Sequence, residues 1–400
     1  MLARPNPTKP TAPPLQTPGD GRRIPPTSHG VGRFDGGLGQ NAAADNRRPA
    51  QRGASTLGPA FARARAGPYK TASAPRELKT MRLVSTPFNP TPPGAILHPV
   101  RTADGVLLRT ARWAPPHGVR GTVAILSGRA EFIEKYYETI RNLLDRGLSV
   151  AIFDWRGQGG STRQLKNPRK GHIDDFSLYE RDFSAFVSEV LEASCPKPWF
   201  GLAHSMGAAI ALAIARAGRC PLDRLALSSP MIALAGVKWP RAARGFVEAL
   251  DAVGLGGAFS RRGGSKIVAT LPFENNQLTS DPVRYARTAN IVAANPELGL
   301  GYPTIGWLDA AFRLMREFED PDFPRRTLTP TLVIAAGADR VTDARAAERF
   351  ASRLRAGRMV IVEGAQHELM VERDVFRDQF FAAFDAFIPG VEGARARAAS

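Results

Sequence analysis

The sequence predicts an α/β protein, with a mostly parallel sheet flanked by helices, on three observations. From residue 121 onward, apolar runs of strand length alternate with segments of helical periodicity, the pattern of a parallel sheet with crossover helices. In the segment 176–192, Phe176, Tyr179, Phe183, Phe186 and Val190 recur at three- and four-residue spacing and form one stripe for burial. After residue 236 the alternation stops for about ninety residues and then returns, so the intervening stretch reads as an insertion between two strands of one sheet.

Taken in chain order, "AILHPVRTADGVLLRTARW" places Asp104-Gly105 between two strand-like runs, a hairpin signal. "TVAILSG" is followed by a helix over 131–147, "SVAIFDW" by the helix over 176–192, "WFGLAHS" by a helix over 206–217, and then comes "RLALSSPMI". The insertion is expected to form a helical cap over 237–324. Asp281-Pro282 opens one of its helices, with the acid as cap and proline in the first turn. Thr304 caps another, in which Ile305, Leu308, Phe312 and Met315 form one apolar stripe and Trp307, Ala311, Leu314 and Phe318 a second. A helix apolar on two faces has two things to touch. In one reading one face meets the main domain and the second stripe lines an acyl pocket, with Trp307, Leu314 and Phe318 as substrate contacts; in the other the helix is sandwiched inside the cap's own core. "TLVIAAGAD" (331–339), a helix near 343–355, "MVIVEGAQH" (359–367) and a helix over 375–388 complete the main layer, expected over 85–236 and 325–390.

At 400 residues and 43% hydrophobic the chain can bury a sizeable core, yet it carries a formal charge of +17 and 33 prolines. Residues 1–80 hold about 13 Lys/Arg against 4 Asp/Glu, a net of roughly +9, in a Pro/Gly/Arg-rich order without period, and are expected to be disordered. Met81 is an alternative start, because the ordered pattern begins there. A basic tail suits peripheral contact with an anionic membrane, and no specific nucleic-acid partner is expected. No apolar run reaches the roughly 18 residues of a membrane span, which predicts a cytoplasmic protein, at most peripheral to the inner membrane face. Cys195 and Cys220 have neither metal nor CxxC spacing. They precede two strands expected to be neighbours, and are predicted to be free thiols.

"GLAHSMGAAIALAIARAG" (201–218) carries the chemistry. A buried strand that turns into a helix around a serine presents the hydroxyl at the carboxyl edge of the sheet, which is a nucleophile elbow. Small residues are needed two before and two after Ser205, and Ala203 and Gly207 stand there, Ala203 departing from the usual glycine. Of the six histidines, His367 alone stands just past a late strand on the serine's edge of the sheet, whereas His204 is adjacent to the serine and leaves the turn in another direction. Asp339 ends a strand in a Gly turn and supplies the carboxylate an imidazole base requires, with Asp343 the alternative. The order Ser205, Asp339, His367 is that of an α/β-hydrolase. The backbone N–H of Met206, at a helix N-terminus, and that of Arg129, after "VAILSG", are assigned to the oxyanion.

"LSGRAEFIEKYYETI", "FDWRGQGGS", "LAHSMGAA", "GADRV" and "GAQHELM", in that order, resemble the lysophospholipase and monoacylglycerol lipase family of α/β-hydrolases over roughly residues 85–390. The resemblance implies a serine esterase acting on a lipid-like ester through an acyl-enzyme, without cofactor or metal. It puts Ser205, Asp339 and His367 at the family's triad positions and Met206 and Arg129 at its oxyanion positions, and implies an ion pair between Glu131 and Arg156. Ser127-Gly128 replaces the lipases' usual His-Gly, and "SGRAEF" is closer to the bacterial lysophospholipases. A thioesterase or a proline iminopeptidase uses the same scaffold and remains the alternative, as does a basic-tailed adaptor that only binds a ligand. The oligomeric state is left open.

Overall fold

One eight-stranded sheet organises residues 81–390, the part of the chain that the computed structural model describes. The expected basic tail, residues 1–80, lies outside the described residues. The strands are β1 (Ile96–Leu97), β4 (Thr110–Trp113), β5 (Thr122–Leu126), β6 (Ser149–Phe153), β7 (Trp199–His204), β8 (Arg224–Ser228), β9 (Thr331–Ala336) and β10 (Gly357–Val362), while β2 (Val100–Arg101) and β3 (Leu107–Leu108) pair separately. The spatial order is β1-β4-β6-β5-β7-β8-β9-β10, antiparallel only at β1–β4 and β4–β6. The Asp104-Gly105 turn closes the β2–β3 hairpin, with Gly105 at φ +85°.

The crossover helices are α1 (Tyr137–Asp145), α2 (Ser177–Phe186) and α3 (Met206–Arg216) in the first half and α8 (Ala344–Ala351) in the second, and α9 (Asp374–Phe387) follows the last strand. Helices cover both faces, which is why the central strands are apolar throughout rather than alternating. Along β5, Ala124 and Leu126 pack with α2 and α3 residues such as Phe183 and Ile210, whereas Val123 and Ile125 pack with Ile140 and Phe381 of α1 and α9. Successive side chains of one strand therefore feed two cores.

Between β8 and β9 lie α4 (Pro240–Leu250), α5 (Pro282–Ala294), α6 (Ile305–Glu317) and α7 (Asp322–Arg326). Asp281 caps α5 by accepting from the Val283 and Arg284 N–H groups, and Thr304 caps α6 by accepting from that of Trp307. The second stripe of α6 joins the main core. Leu314 is buried in it, and Phe318 lies edge-on to Phe323 and Phe350, with centroids 4.9 and 5.6 Å away. α5 is tied to α1 by Arg284, which forks onto Glu138 at 2.9 and 2.7 Å. Cys195 and Cys220 are both free, and the strands they precede, β7 and β8, are neighbours. Among the described residues no helix is long and apolar enough to cross a membrane.

Candidate active site

All the groups of the site come from the carboxyl edge of the parallel strands. Leu126 of β5 lies opposite Ala203 of β7, so the loop 127–131 starts beside Ser205. β8 flanks the other side, with His204 opposite Ser228, and Asp339 and His367 follow β9 and β10. At Ser205 the backbone adopts φ 50°, ψ −112°, a conformation that non-glycine residues rarely take and that marks a sharp strand-to-helix turn. The turn is closed on both sides: Ser205 N donates to Ser228 O at 3.0 Å, and Met231 N donates to Ser205 O at 3.1 Å. Gly207 is required because a Cβ there would lie 2.3 Å from Leu126 O and 2.6 Å from Ser127 O.

His367 Nε2 is 3.0 Å from Ser205 Oγ, and its Nδ1 is 2.7 Å from Asp339 Oδ2. Asp339 also accepts from the Val341 N–H (2.7 Å), the Thr342 N–H (3.0 Å) and the Thr342 hydroxyl (2.8 Å). Burial pushes its carboxyl upward, but the His367 contact and the two N–H groups outweigh it, and the net shift is below the usual carboxylate range. Asp343, the alternative acid, caps α8 instead, accepting from the Arg345 and Ala346 N–H groups. Met206 opens α3, where a helix leaves its first N–H groups without intrahelical partners. The Arg129 N–H, too, meets no acceptor among the described residues.

A cavity of about 270 Å³ opens over Ser205 and is bounded by Met231, Leu234, Val268, Leu278, Trp307 and Leu308 among others. Of the three side chains expected to contact substrate, Trp307 lines this cavity, but Leu314 and Phe318 do not. About two and three helical turns further along α6, the stripe has passed under the main domain and is packed against its core.

The opposite wall is polar. Lys135 Nζ sits 2.7 Å from Glu131 Oε1 and 2.5 Å from Glu368 Oε1, and Glu131 Oε2 accepts from the Tyr136 hydroxyl and the Gly128 N–H. Ligand-type atoms of Glu131, His204 and Glu368 fall within 4.8 Å of one another. The Lys135 ammonium already bridges the two carboxylates. His204 turns away from the Ser205 hydroxyl, with Nδ1 3.1 Å from Ser228 O, and burial pulls its pKa down to about 4, so its ring is neutral. The expected Glu131–Arg156 pair is not formed. Arg156 instead forks onto Asp104 (2.7 and 3.0 Å) and bonds Asp182 (2.8 Å), because the β2–β3 hairpin and α2 place those carboxylates against it. The polar wall was not anticipated from the sequence, although Glu131 and Lys135 have the i,i+4 spacing of a helical ion pair.

The model of a family described as serine aminopeptidase, S33, matches residues 117–374. The chain belongs to that family. This S33 family member is 32% identical over 292 residues to lysophospholipase L2 of Escherichia coli (strain K12), a match covering 68% of this chain and 82% of that protein. It is 27% identical over 271 residues to the monoglyceride lipase of Mus musculus, covering 67% of this chain and 82% of that one. A solved structure of a soluble variant of monoglyceride lipase from Saccharomyces cerevisiae, in complex with a substrate analog, matches with a TM-score of 0.60 at 17% identity, over 77% of this chain and 99% of that one. The fold is thus the α/β-hydrolase fold. The lysophospholipase and monoglyceride lipase likeness carried by the five sequence motifs is matched by these relatives over about two thirds of the chain.

Proposed function

We propose that this protein is a serine hydrolase that cleaves the carboxylic ester of a lysophospholipid or a monoacylglycerol. The observation that carries the reading is the unbroken chain Asp339–His367–Ser205, at 2.7 and 3.0 Å, on the floor of a largely apolar cavity. Ser205 Oγ attacks the ester carbonyl carbon while His367 Nε2 takes its proton. The tetrahedral oxyanion faces the N–H groups of Met206 and Arg129. As the ester C–O bond breaks, His367 returns the proton to the departing alcohol oxygen. Water then attacks the acyl-enzyme with the same base and releases the fatty acid. Asp339, held ionised, fixes the His367 tautomer and stabilises the imidazolium.

Residues 237–324 act as the cap that covers the acyl chain, which is supported by Trp307 and Leu308 lining the cavity. The protein meets its substrate at an anionic bilayer surface. Along α4 and the residues that flank it, Trp239, Ala242, Phe246, Ala249 and Val253 follow one another at three- and four-residue spacing and are all exposed, Trp239 to 76% and Phe246 to 66%, with exposed Lys238 and Arg241 at the helix start. An apolar stripe beside cations suits an anionic interface. Flotation with phosphatidylglycerol vesicles checks this: Trp239→Ala with Phe246→Ala weakens binding, and undiminished binding refutes it.

The enzymatic reading is tested by Ser205→Ala. Fluorophosphonate labelling disappears and turnover of a soluble ester falls by about 10⁴-fold or more at an unchanged melting temperature. A variant that keeps more than about a thousandth of turnover refutes it. A panel of lysophospholipids, monoacylglycerols, acyl-CoAs and peptide amides ranks the ester reading against thioesterase and iminopeptidase activity.

A further inference from the structure

Three side chains with permanent cationic groups, Lys135, Arg284 and Arg129, line the cavity around Ser205 among the described residues. Two are neutralised by the protein: Lys135 by Glu131 and Glu368, and Arg284 by Glu138, Asp281 and Asp374. Among the described residues Arg129 forms no salt bridge with a carboxylate. Its Nη2 donates to Gly301 O at 3.0 Å, its guanidinium carbon stands 5.1 Å from the centroid of the Trp307 ring, and its buried Nε has no hydrogen-bond partner. Burial pulls its pKa down to about 10, a pull only partly countered by Tyr179. A guanidinium withdrawn from bulk water without a counter-ion is unfavourable, and an orphaned donor adds to the cost. The side chain keeps part of its surface open, and it is a lining residue of the cavity. An anion entering with the substrate supplies the missing counter-ion at the guanidinium.

We infer that the Arg129 guanidinium binds the phosphate of a lysophospholipid head group, while the main-chain N–H of the same residue serves the oxyanion. This rests on the ester-hydrolase reading above and narrows its substrate. The planar fork of donors fits two phosphate oxygens. The reach also fits: about six bonds separate the ester carbonyl carbon of a glycerophospholipid from its phosphorus, and about five separate the Arg129 Cα from its guanidinium carbon. The other anion available is the fatty acid product, but its carboxylate forms at the oxyanion site, where the main-chain N–H groups already face it. A neutral monoacylglycerol leaves the cation uncompensated. The lysophospholipid is therefore the preferred substrate, and Arg129 is what prefers it.

The test compares wild type, Arg129→Met and Arg129→Lys on 1-palmitoyl lysophosphatidylethanolamine and 1-palmitoylglycerol in the same detergent micelles, reading the ratio of the two kcat/KM values. Arg129→Met lowers the ratio by about ten- to a hundredfold, the loss of one charge-assisted pair, and Arg129→Lys, which keeps the charge without the fork, lowers it less. An unchanged ratio in Arg129→Met overturns the inference, including the case in which both substrates slow equally because the tie to Gly301 is lost, and the case in which only inhibition by palmitate changes. A second measurement does not depend on the variant folding: glycerol 3-phosphate protects Ser205 of the wild type from fluorophosphonate labelling better than glycerol does, and equal protection overturns the inference. A wild type that hydrolyses neither ester refutes the enzymatic reading instead, and the outcomes are thus distinct.

Discussion

Gly207→Ala is the smallest change that separates the proposed elbow from an ordinary strand-to-helix turn. The added methyl would lie 2.3 Å from Leu126 O and 2.6 Å from Ser127 O. Carbon and oxygen in contact need about 1 Å more than that, and both obstacles are backbone at the end of the buried strand β5, so neither yields cheaply. Relief comes from pushing the loop 127–131 away from Ser205 or from opening the turn. Overpacking of this kind costs about 1–3 kcal/mol of stability or more. A displacement near 1 Å of the Arg129 N–H relative to Ser205 Oγ costs about a hundredfold in rate. The assay is kcat/KM on p-nitrophenyl butyrate together with a thermal melt. The control is Gly245→Ala on α4, where a Cβ meets nothing within 4 Å; a helix-interior glycine replaced by alanine gains about 0.5–1 kcal/mol. If Gly207→Ala kept wild-type melting and a rate within about threefold of wild type, far short of the hundredfold that misplacement costs, the close approach of the α3 start to the β5 loop would not be what positions the oxyanion donors.

Two further predictions follow from the residues around the cavity. Trp307 lines it, so Trp307→Ala removes binding that grows with acyl length by up to about 0.8 kcal/mol per buried methylene, and kcat/KM falls more for sixteen-carbon than for four-carbon esters; equal losses at every length refute a lining role. The Arg284 fork, with Arg377 and Arg287 beside it, overcomes burial and holds the Glu138 pKa down to about 2, so Glu138 contributes stability that is fully present above its unfolded value near 4.3 and is lost as pH falls toward about 2. Discounted for solvent at this part-exposed site, that is about 1–2 kcal/mol. Urea unfolding of wild type and Glu138→Gln then differs at pH 7, and the gap narrows as pH falls below about 4 and closes below about pH 2, whereas a gap of undiminished size at that pH refutes the charge argument.

Strands and triad positions were legible because each has a local signature. Apolar runs bounded by turns marked β5 to β10, and the small-x-Ser-x-small turn marked Ser205. His367 came from elimination among six histidines, which works only when so few exist. Groups defined by packing across the sheet were not legible. Arg156 takes Asp182 and Asp104 as partners 26 and 52 residues away, and no spacing rule reaches that far. Glu368 joins Lys135 across 233 residues for the same reason. The α6 stripe was visible as apolar, but which end meets ligand and which meets the main core depends on how α6 crosses the domain, and only Trp307 near its start reaches the cavity.

The strain at Ser205 and the plainness of its surroundings belong together. A serine at φ 50° costs about 1–3 kcal/mol and persists only where neighbours over-determine it. Here β8 and the loop that follows it supply the restraint: the Ser228 carbonyl holds the Ser205 N–H, the Met231 N–H holds the Ser205 carbonyl, and the same Ser228 carbonyl contacts His204 Nδ1. Residues 204 and 205 are thereby pinned to one neighbouring strand. With His204 neutral and bound there, it does not compete with His367 for the serine hydroxyl, although the two rings lie only 4.8 Å apart. The imidazole held by Asp339 is left as the one that meets Ser205, and His204 is held away from it by a single backbone carbonyl of β8, that of Ser228, with Glu131 Oε1 3.7 Å from its Nε2.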